Sequence, residues 1–458
     1  MDRVEDGPPV AIIGGGYAGC AAAVTLADAG VRCVLHEAAP VLGGRGRRVE
    51  RDGFALDNGQ HLLLGAYAAT LALAAKVAPG RPAFLRRPLA LVPFGRDQPG
   101  ALSLVVRRAP GRLGLALGLL TAAGLTWRER LANVAWFRDL ERSGFVRPRG
   151  ETVARMLKPL PRNVAQRLWE PLCLAALNTP AKTASAQVFA NVLRASFTGS
   201  GTDCDFVLAT TDLSAFVPEA AARYVQDRGG VVETGRSMRI VRAARDGVMV
   251  AAGDTALAAR AVIVATPPHR IETAFAPEAL ALQPALRAAV GAMKGQAYEP
   301  LATVWLGYAS RIDLPAPVAR LDDAPGQWLI DRPDILATAG TGAPALAQLV
   351  AVVISAGGAH MTQPHAALVR EVDAQLRRLR PDLPPLAWSF VIVEKRATYA
   401  CTPDRVLPAA PRFAPGIYLA GDYAYPEFPA TLEAAVRSGI AAAQAVLDDR
   451  VRPSVSHP

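Results

Sequence analysis

The sequence predicts an α/β protein in which one doubly wound nucleotide-type domain is written in three separated pieces and an α+β domain is interleaved between them. Three observations carry that expectation. At the amino end an apolar strand, "VAIIGGG", runs into a glycine turn, a helix over "YAGCAAAVTLADAG" and a second strand, "VRCVLHE". In mid-chain the apolar strand "ARAVIVATPP" stops at Pro267 and Pro268. Near the carboxyl end come a strand, "GIYLAGD", and a long helix, "PATLEAAVRSGIAAAQAVL", with Pro429 near its start.

The remaining elements follow in order. With 458 residues the chain is too long for one simple core, and 51% hydrophobic with 20% charged residues describes a globular protein. After Asp57 the pattern becomes mixed, with strand-like pieces at "LALVPF" and "LSLVVR" and helices across Thr126 to Leu168. "RYVQDRGGVVETGRSMRIVRAARDGVMVAA" reads as a helix end, a strand and a hairpin. From Tyr298 to Ala400 β-rich segments return, "PLATVWLGY", "ALAQLVAVVIS" and "LAWSFVIVEK", with one helix around Ala366 to Leu379. The nucleotide domain is therefore expected from 1–75, 205–292 and 402–450, the second domain from 76–204 and 293–401, and a flexible tail from 451–458.

Five scattered cysteines, Cys20, Cys33, Cys173, Cys204 and Cys401, form no CxxC pair, which argues against a disulfide framework or a metal site and for a reducing cytoplasm. "MDRVEDGPP" has no apolar core and does not read as a signal peptide. The apolar stretch Leu113 to Leu125 is shorter than the ~20 residues that span a bilayer. The formal net charge is +10, and between Ala101 and Glu170 thirteen Lys or Arg face five Asp or Glu. Arg107, Arg108, Arg112, Arg128 and Arg130 flank the apolar stretch, a pattern that suits docking on an anionic membrane surface as well as a solvated basic face. Nucleic acid is the poorer fit, because no aromatic residues are interleaved with these arginines.

Gly14, Gly16 and Gly19 form GxGxxG between the first strand and its helix. The first glycine makes the turn, the second lets a pyrophosphate approach the backbone, and the third lets helix and strand pack closely. The helix N-terminus favours the phosphate charge. Glu37 ends the next strand, eighteen residues after Gly19, where a carboxylate accepts from ribose hydroxyls. This is a dinucleotide site. "LGGRGRR" follows at once, offering Gly44 and Arg45 to a phosphate or flavin edge.

Together with "GIYLAGDYAYPEFPATLEAAVRSG", these stretches resemble the FAD-binding signatures of the flavin amine oxidase and phytoene desaturase superfamily, and so imply a Rossmann-like FAD domain. The resemblance assigns Gly421 and Asp422 to the ribityl or phosphate turn. It assigns Thr431 and Leu432 to the helix end at flavin N1, and Met238, in "SMRIV", to a main-chain contact with adenine. Gly59 joins this set as part of "DNGQHLLLGAY". FAD is the expected cofactor and no metal is expected. With one fingerprint and no second nucleotide domain, electrons must come from an external donor.

Longer stretches, "ALDNGQHLLLGAY", "LWEPLCLAALNTPAKTASAQVFANVLR", "AYEPLATVWLGY" and "VEKRATYACTP", are similar to the hydroxysqualene dehydroxylases, also described as squalene-associated FAD-dependent desaturases. That resemblance runs through nearly the whole chain. It implies reductive loss of the allylic hydroxyl of a C30 isoprenoid, hydroxysqualene, in squalene and hopanoid synthesis; the basic flanks of the apolar stretch add the inner face of the cytoplasmic membrane as the expected place. Hydride would come from reduced flavin N5, and the site would need a proton donor and a dry channel. His61 is the first candidate acid because histidine titrates near neutral pH, with loop fixing or a flavin contact as its other reading. Glu299, which burial would keep protonated, is the second, with loop anchoring as its other reading. Tyr298, Tyr423 and Tyr425 orient substrate or flavin, or simply pack. The rival functions are a carotenoid-type desaturase running the hydride the other way, an amine oxidase with a lysine near the flavin, and a prenyl-lipid carrier with an inert flavin.

Overall fold

Val10–Ile13 and Ala261–Val264 are each four buried residues without polar alternation, which is what a strand covered on both faces by helices requires. They pair in parallel at the centre of a six-stranded sheet in the order Val231–Glu233, Cys33–His36, Val10–Ile13, Ala261–Val264, Ile417–Leu419, Arg412–Ala414. All neighbours are parallel except the last pair. The computed structural model describes residues 7–80, 84–95, 100–109, 112–244 and 247–451. The tail expected at 451–458 and the opening "MDRVED" therefore lie outside the described residues, apart from Val451, the last residue of the final helix.

Two helices lie against each other on this sheet. Tyr17–Asp28 follows the glycine turn, and Leu432–Val451 crosses it so closely that a Cβ on Gly439 would stand 2.1 Å from the carbonyl oxygen of Ala18. Any side chain there would force the helices apart. A three-stranded antiparallel meander, Arg239–Ala244, Gly247–Ala252 and Thr255–Ala259, completes this part.

A seven-stranded sheet forms the second body, ordered Leu386–Tyr399, Tyr298–Tyr308, Gln348–Ser355, Trp328–Asp331, Val318–Arg320, Ala90–Pro93, Leu104–Val105. Its pairs are antiparallel save Val318–Arg320 with Ala90–Pro93. Gln348–Ser355 is buried along its whole length, and the helix His365–Leu379 packs on the sheet.

The helices expected across Thr126 to Leu168 are Trp127–Arg142, Val153–Met156 and a helical run from Arg162 that continues to Leu177. Gly144 and Phe145, both at positive φ, end the first of these, and Pro148 follows. The apolar stretch Leu113 to Leu125 gives only the nine-residue helix Leu113–Thr121. No helix among the described residues is long and apolar enough to cross a membrane.

Candidate active site

Four of the parallel strands end in a cavity of about 720 Å³, lined by Gly14, Glu37 and Ala265, which directly follow three of them, and by Gly421, two residues past the fourth. Open α/β sheets bind ligands in this position. The cavity brings together Gly14, Gly16, Glu37, Gly44, Arg45, Gly59, His61, Met238, Gly421, Asp422, Tyr423, Thr431 and Leu432, while Gly19, Tyr298, Glu299 and Tyr425, also singled out from the sequence, do not line it.

The three fingerprint glycines are constrained differently. Gly14 has φ +112°, and a Cβ there would sit 2.8 Å from Ala265 O. A Cβ on Gly19 would sit 1.9 Å from Gly14 O, so Gly19 serves helix-to-strand packing behind the cavity. Gly16 is under neither restraint: the nearest heavy atom to an added Cβ is Gly44 Cα at 3.8 Å. Its bare backbone faces the cavity.

Glu37 accepts the N–H of Gly15 at 2.7 Å and of Ala39 at 2.8 Å, which fixes its carboxylate with lone pairs left over. Arg45 donates to Asp422 Oδ1 at 2.6 Å and to Ala397 O at 2.9 Å, so the two residues expected at the phosphate and ribityl positions are tied to each other. Thr431 caps the final helix, its Oγ1 accepting from Ala434 N at 3.1 Å, and that helix end lines the cavity with Leu432. Fully buried Glu433 is turned away, onto the N–H groups of Ala69 and Thr70, and so pins a second helix, Ala68–Val77, against the first turn.

These residues fit FAD. Besides the bare face of Gly16, the oxygens of Thr266 and Tyr423 are buried, line the cavity and have no hydrogen-bond partner among the described residues. Such groups are costly to bury unpaired and are ready to meet a polar ligand.

The loop "DNGQH" is locked from several sides. Asp57 accepts from Leu213 N and from Arg332, Asn58 donates to Arg45 O and Glu394, and Gln60 N donates to Thr303 Oγ1. His61 Nδ1 lies 2.8 Å from Gly59 O, and since a carbonyl only accepts, Nδ1 carries the hydrogen and Nε2 is left as the acceptor. Burial, the largest influence, lowers the His61 pKa against the pull of Asp57. Burial thus favours the neutral imidazole, which supports the loop-fixing reading of His61 beside the acid one.

Glu299 fits its loop-anchoring reading better than the acid reading. It lies on the strand Tyr298–Tyr308 but lines neither cavity of the site. Burial raises its pKa, opposed by an N–H from Gly357, so its carboxyl anchors that loop. Of the tyrosines, Tyr423 lines the cofactor cavity. Tyr298 accepts from His269 N at 3.4 Å, with His269 Nδ1 3.2 Å away, and Tyr425 stacks on Phe428.

A second, mostly apolar cavity of about 180 Å³ abuts the first, with Leu64, Leu172, Phe189, Val192, Phe197 and Trp328 among its walls. Gln60, Leu62, Tyr67, Ala175, Ala176, Asn178, Leu301 and Thr431 line both. Sequence reasoning gave no role to Asn178, Arg332 or Glu394. Asn178, at φ +47°, donates to Pro300 O at 3.1 Å and Thr398 Oγ1 at 3.0 Å and accepts from Ala356 N at 2.9 Å, stitching the two longest strands together. Asn178 and Glu394 sit in "LCLAALNTP" and "VEKRATYACTP", so the motif signal was present without the geometry. Arg332 carries no motif at all.

Residues 17–447 match the family described as flavin containing amine oxidoreductase. The chain belongs to that family. It is an FAD-dependent oxidoreductase. Among curated relatives it is 29% identical over 445 residues to hydroxysqualene dehydroxylase of Rhodopseudomonas palustris, covering 96% of this chain and 98% of that one. It is 27% identical over 456 residues to the protein of the same name from Sinorhizobium fredii, with 96% and 98% covered. Among solved structures, an oxidoreductase from Methanosarcina mazei shares the fold with a TM-score of 0.73 at 14% identity, over 96% of this chain and 100% of that one. Cyclohexylamine oxidase from Brevibacterium oxydans does so at 0.68 and 17%, over 97% and 100%. The neighbours fit the α/β FAD-binding fold expected from the sequence.

Proposed function

We propose that this amine oxidoreductase family member converts hydroxysqualene to squalene, exchanging the allylic hydroxyl for hydrogen, in squalene and hopanoid synthesis. The observation that carries the reading is the apolar cavity that shares eight lining residues with the cofactor cavity. The names of its full-length relatives support it. Bound and reduced, FAD supplies the hydride, and the hydroxyl leaves with a proton as water. The protein's own part is to hold "DNGQH" rigid, to keep water out with leucine and phenylalanine walls, and to present neutral His61 at the cofactor side.

An amine oxidase reading lacks its lysine. Neither cavity is lined by one, and Lys294 is exposed and paired with Glu272. A desaturase would need oxidised flavin. Anaerobic incubation of the pre-reduced enzyme with hydroxysqualene separates the remaining functions: squalene is expected, and a more unsaturated product or an unchanged flavin contradicts the proposal. An external electron donor then restores the cofactor.

The site is proposed to load from an anionic membrane surface, with the protein peripheral on the cytoplasmic side. Leu113 and Leu117 on one helix and Trp127 and Leu131 on the next are 59%, 45%, 60% and 49% exposed, at i,i+4 spacing. Arg107 and Arg128 beside them have no carboxylate partner among the described residues, while Arg112 is paired with Glu141. Apolar insertion and anionic attraction act together in such a face. Sedimentation with anionic but not neutral vesicles is expected, and its persistence in a Leu113→Glu/Trp127→Glu variant contradicts this docking face.

A further inference from the structure

Four of the eight residues shared by the two cavities are polar: Gln60, Tyr67, Asn178 and Thr431. Three are committed to the protein. Gln60 accepts from Arg332 at 2.6 Å and donates one amide hydrogen to His61 O at 2.7 Å, which fixes the plane of its amide and leaves one hydrogen over. Asn178 spends both ends of its amide on two strands and Ala356 N. Thr431 directs its hydrogen to Pro429 O at 3.2 Å and accepts from Ala434 N at 3.1 Å.

Tyr67 stands apart. It is the residue before the helix Ala68–Val77, its side chain makes no capping bond, and its hydroxyl reaches only the Thr431 side chain. A phenol hydroxyl turns about its C–O bond, so its proton can be turned toward an oxygen brought to the neck. The other shared residues, Leu62, Ala175, Ala176 and Leu301, offer nothing polar.

We propose that Tyr67 recognises the substrate's hydroxyl, donating its phenolic O–H to that oxygen at the neck between the cofactor cavity and the apolar cavity. The inference rests on the dehydroxylase reading. An alcohol entering an apolar neck loses its water, and without a partner that loss is costly. Tyr67 is the shared side chain whose hydroxyl can turn a hydrogen toward it, whereas the remaining amide hydrogen of Gln60 lies in a plane fixed by Arg332 and His61 O. Burial, chiefly, pushes its pKa well above the ordinary phenol value, so the donor is present at every working pH. A hydrocarbon product has no oxygen for it, so substrate is held and product is not.

The test is equilibrium binding of hydroxysqualene and of squalene to the oxidised, FAD-loaded enzyme, which cannot turn over, followed by tryptophan fluorescence. The wild type is expected to favour the alcohol by about three- to tenfold, the worth of one neutral hydrogen bond. Tyr67→Phe, which keeps the ring, is expected to bring that ratio near one with squalene affinity and FAD content unchanged. A Tyr67→Phe enzyme that keeps the wild-type ratio overturns the inference and leaves the dehydroxylase reading standing. So does loss of the ratio in His61→Ala but not in Tyr67→Phe. A wild type that binds neither lipid contradicts the reading itself.

Discussion

Arg332 Nη1 stands 2.9 Å from Asp57 Oδ2 and 2.6 Å from Gln60 Oε1, so one buried guanidinium grips the loop that carries His61 at two points. Asp334 holds the other side of the same group at 2.6 Å. Arg332→Leu removes the cation and leaves Asp57 buried without its counter-charge, a change that typically costs about 3–5 kcal/mol. A correspondingly lower urea midpoint is expected, with Asp57→Asn/Arg332→Gln recovering part of it. Equal midpoints for wild type and Arg332→Leu contradict a structural role for the pair.

Gly16 and Gly19 separate cofactor binding from folding. A Gly16→Ala side chain meets no protein atom within 3.8 Å, whereas Gly19→Ala collides with Gly14 O. Gly16→Ala is therefore expected to keep wild-type thermal stability in the apoprotein and to lose at least about tenfold in FAD affinity, because the added methyl occupies the ligand's approach. Gly19→Ala is expected to destabilise the apoprotein itself. Unchanged flavin affinity in Gly16→Ala removes the pyrophosphate from that position.

Buried His61 has its pKa lowered from 6.5, as have His36, His269 and His360. Above the unfolded value the folded and unfolded chains bind equally few protons at these sites. As pH falls through it, the unfolded chain takes up protons that the folded chain refuses, so stability declines until the folded values are passed. The urea midpoint is expected to drop from about pH 7 to about pH 5, and less steeply in His61→Ala. The single-turnover rate is expected to show no loss as pH rises through the histidine range. Such a loss would assign the proton donor's role to His61.

How much of this was legible beforehand depends on where each signal resides. The glycine turn, the Glu37 strand end and the Gly421–Asp422 corner are local chemistry, and each stands where its spacing put it. Arg332 was not legible because its partner Asp57 lies 275 residues away in the chain. Glu299 misled for a related reason: its position at the start of a long strand was right, but only the tertiary fold shows its carboxyl facing Gly357.

Leu172 lines the apolar cavity and does not line the cofactor cavity. Leu172→Trp fills part of that space, so hydroxysqualene binding is expected to weaken by about tenfold or more while FAD content stays at the wild-type level. Unaltered lipid affinity in this variant places the substrate elsewhere.

The chemistry is tested most directly by one anaerobic turnover of pre-reduced enzyme with hydroxysqualene in deuterated water, where the transferable hydrogen of the flavin exchanges with solvent. Squalene carrying one deuterium, in an amount equal to the flavin oxidised, is the expected result. Squalene without deuterium, or flavin that stays reduced beside untouched alcohol, would contradict hydride delivery across the junction of the two cavities.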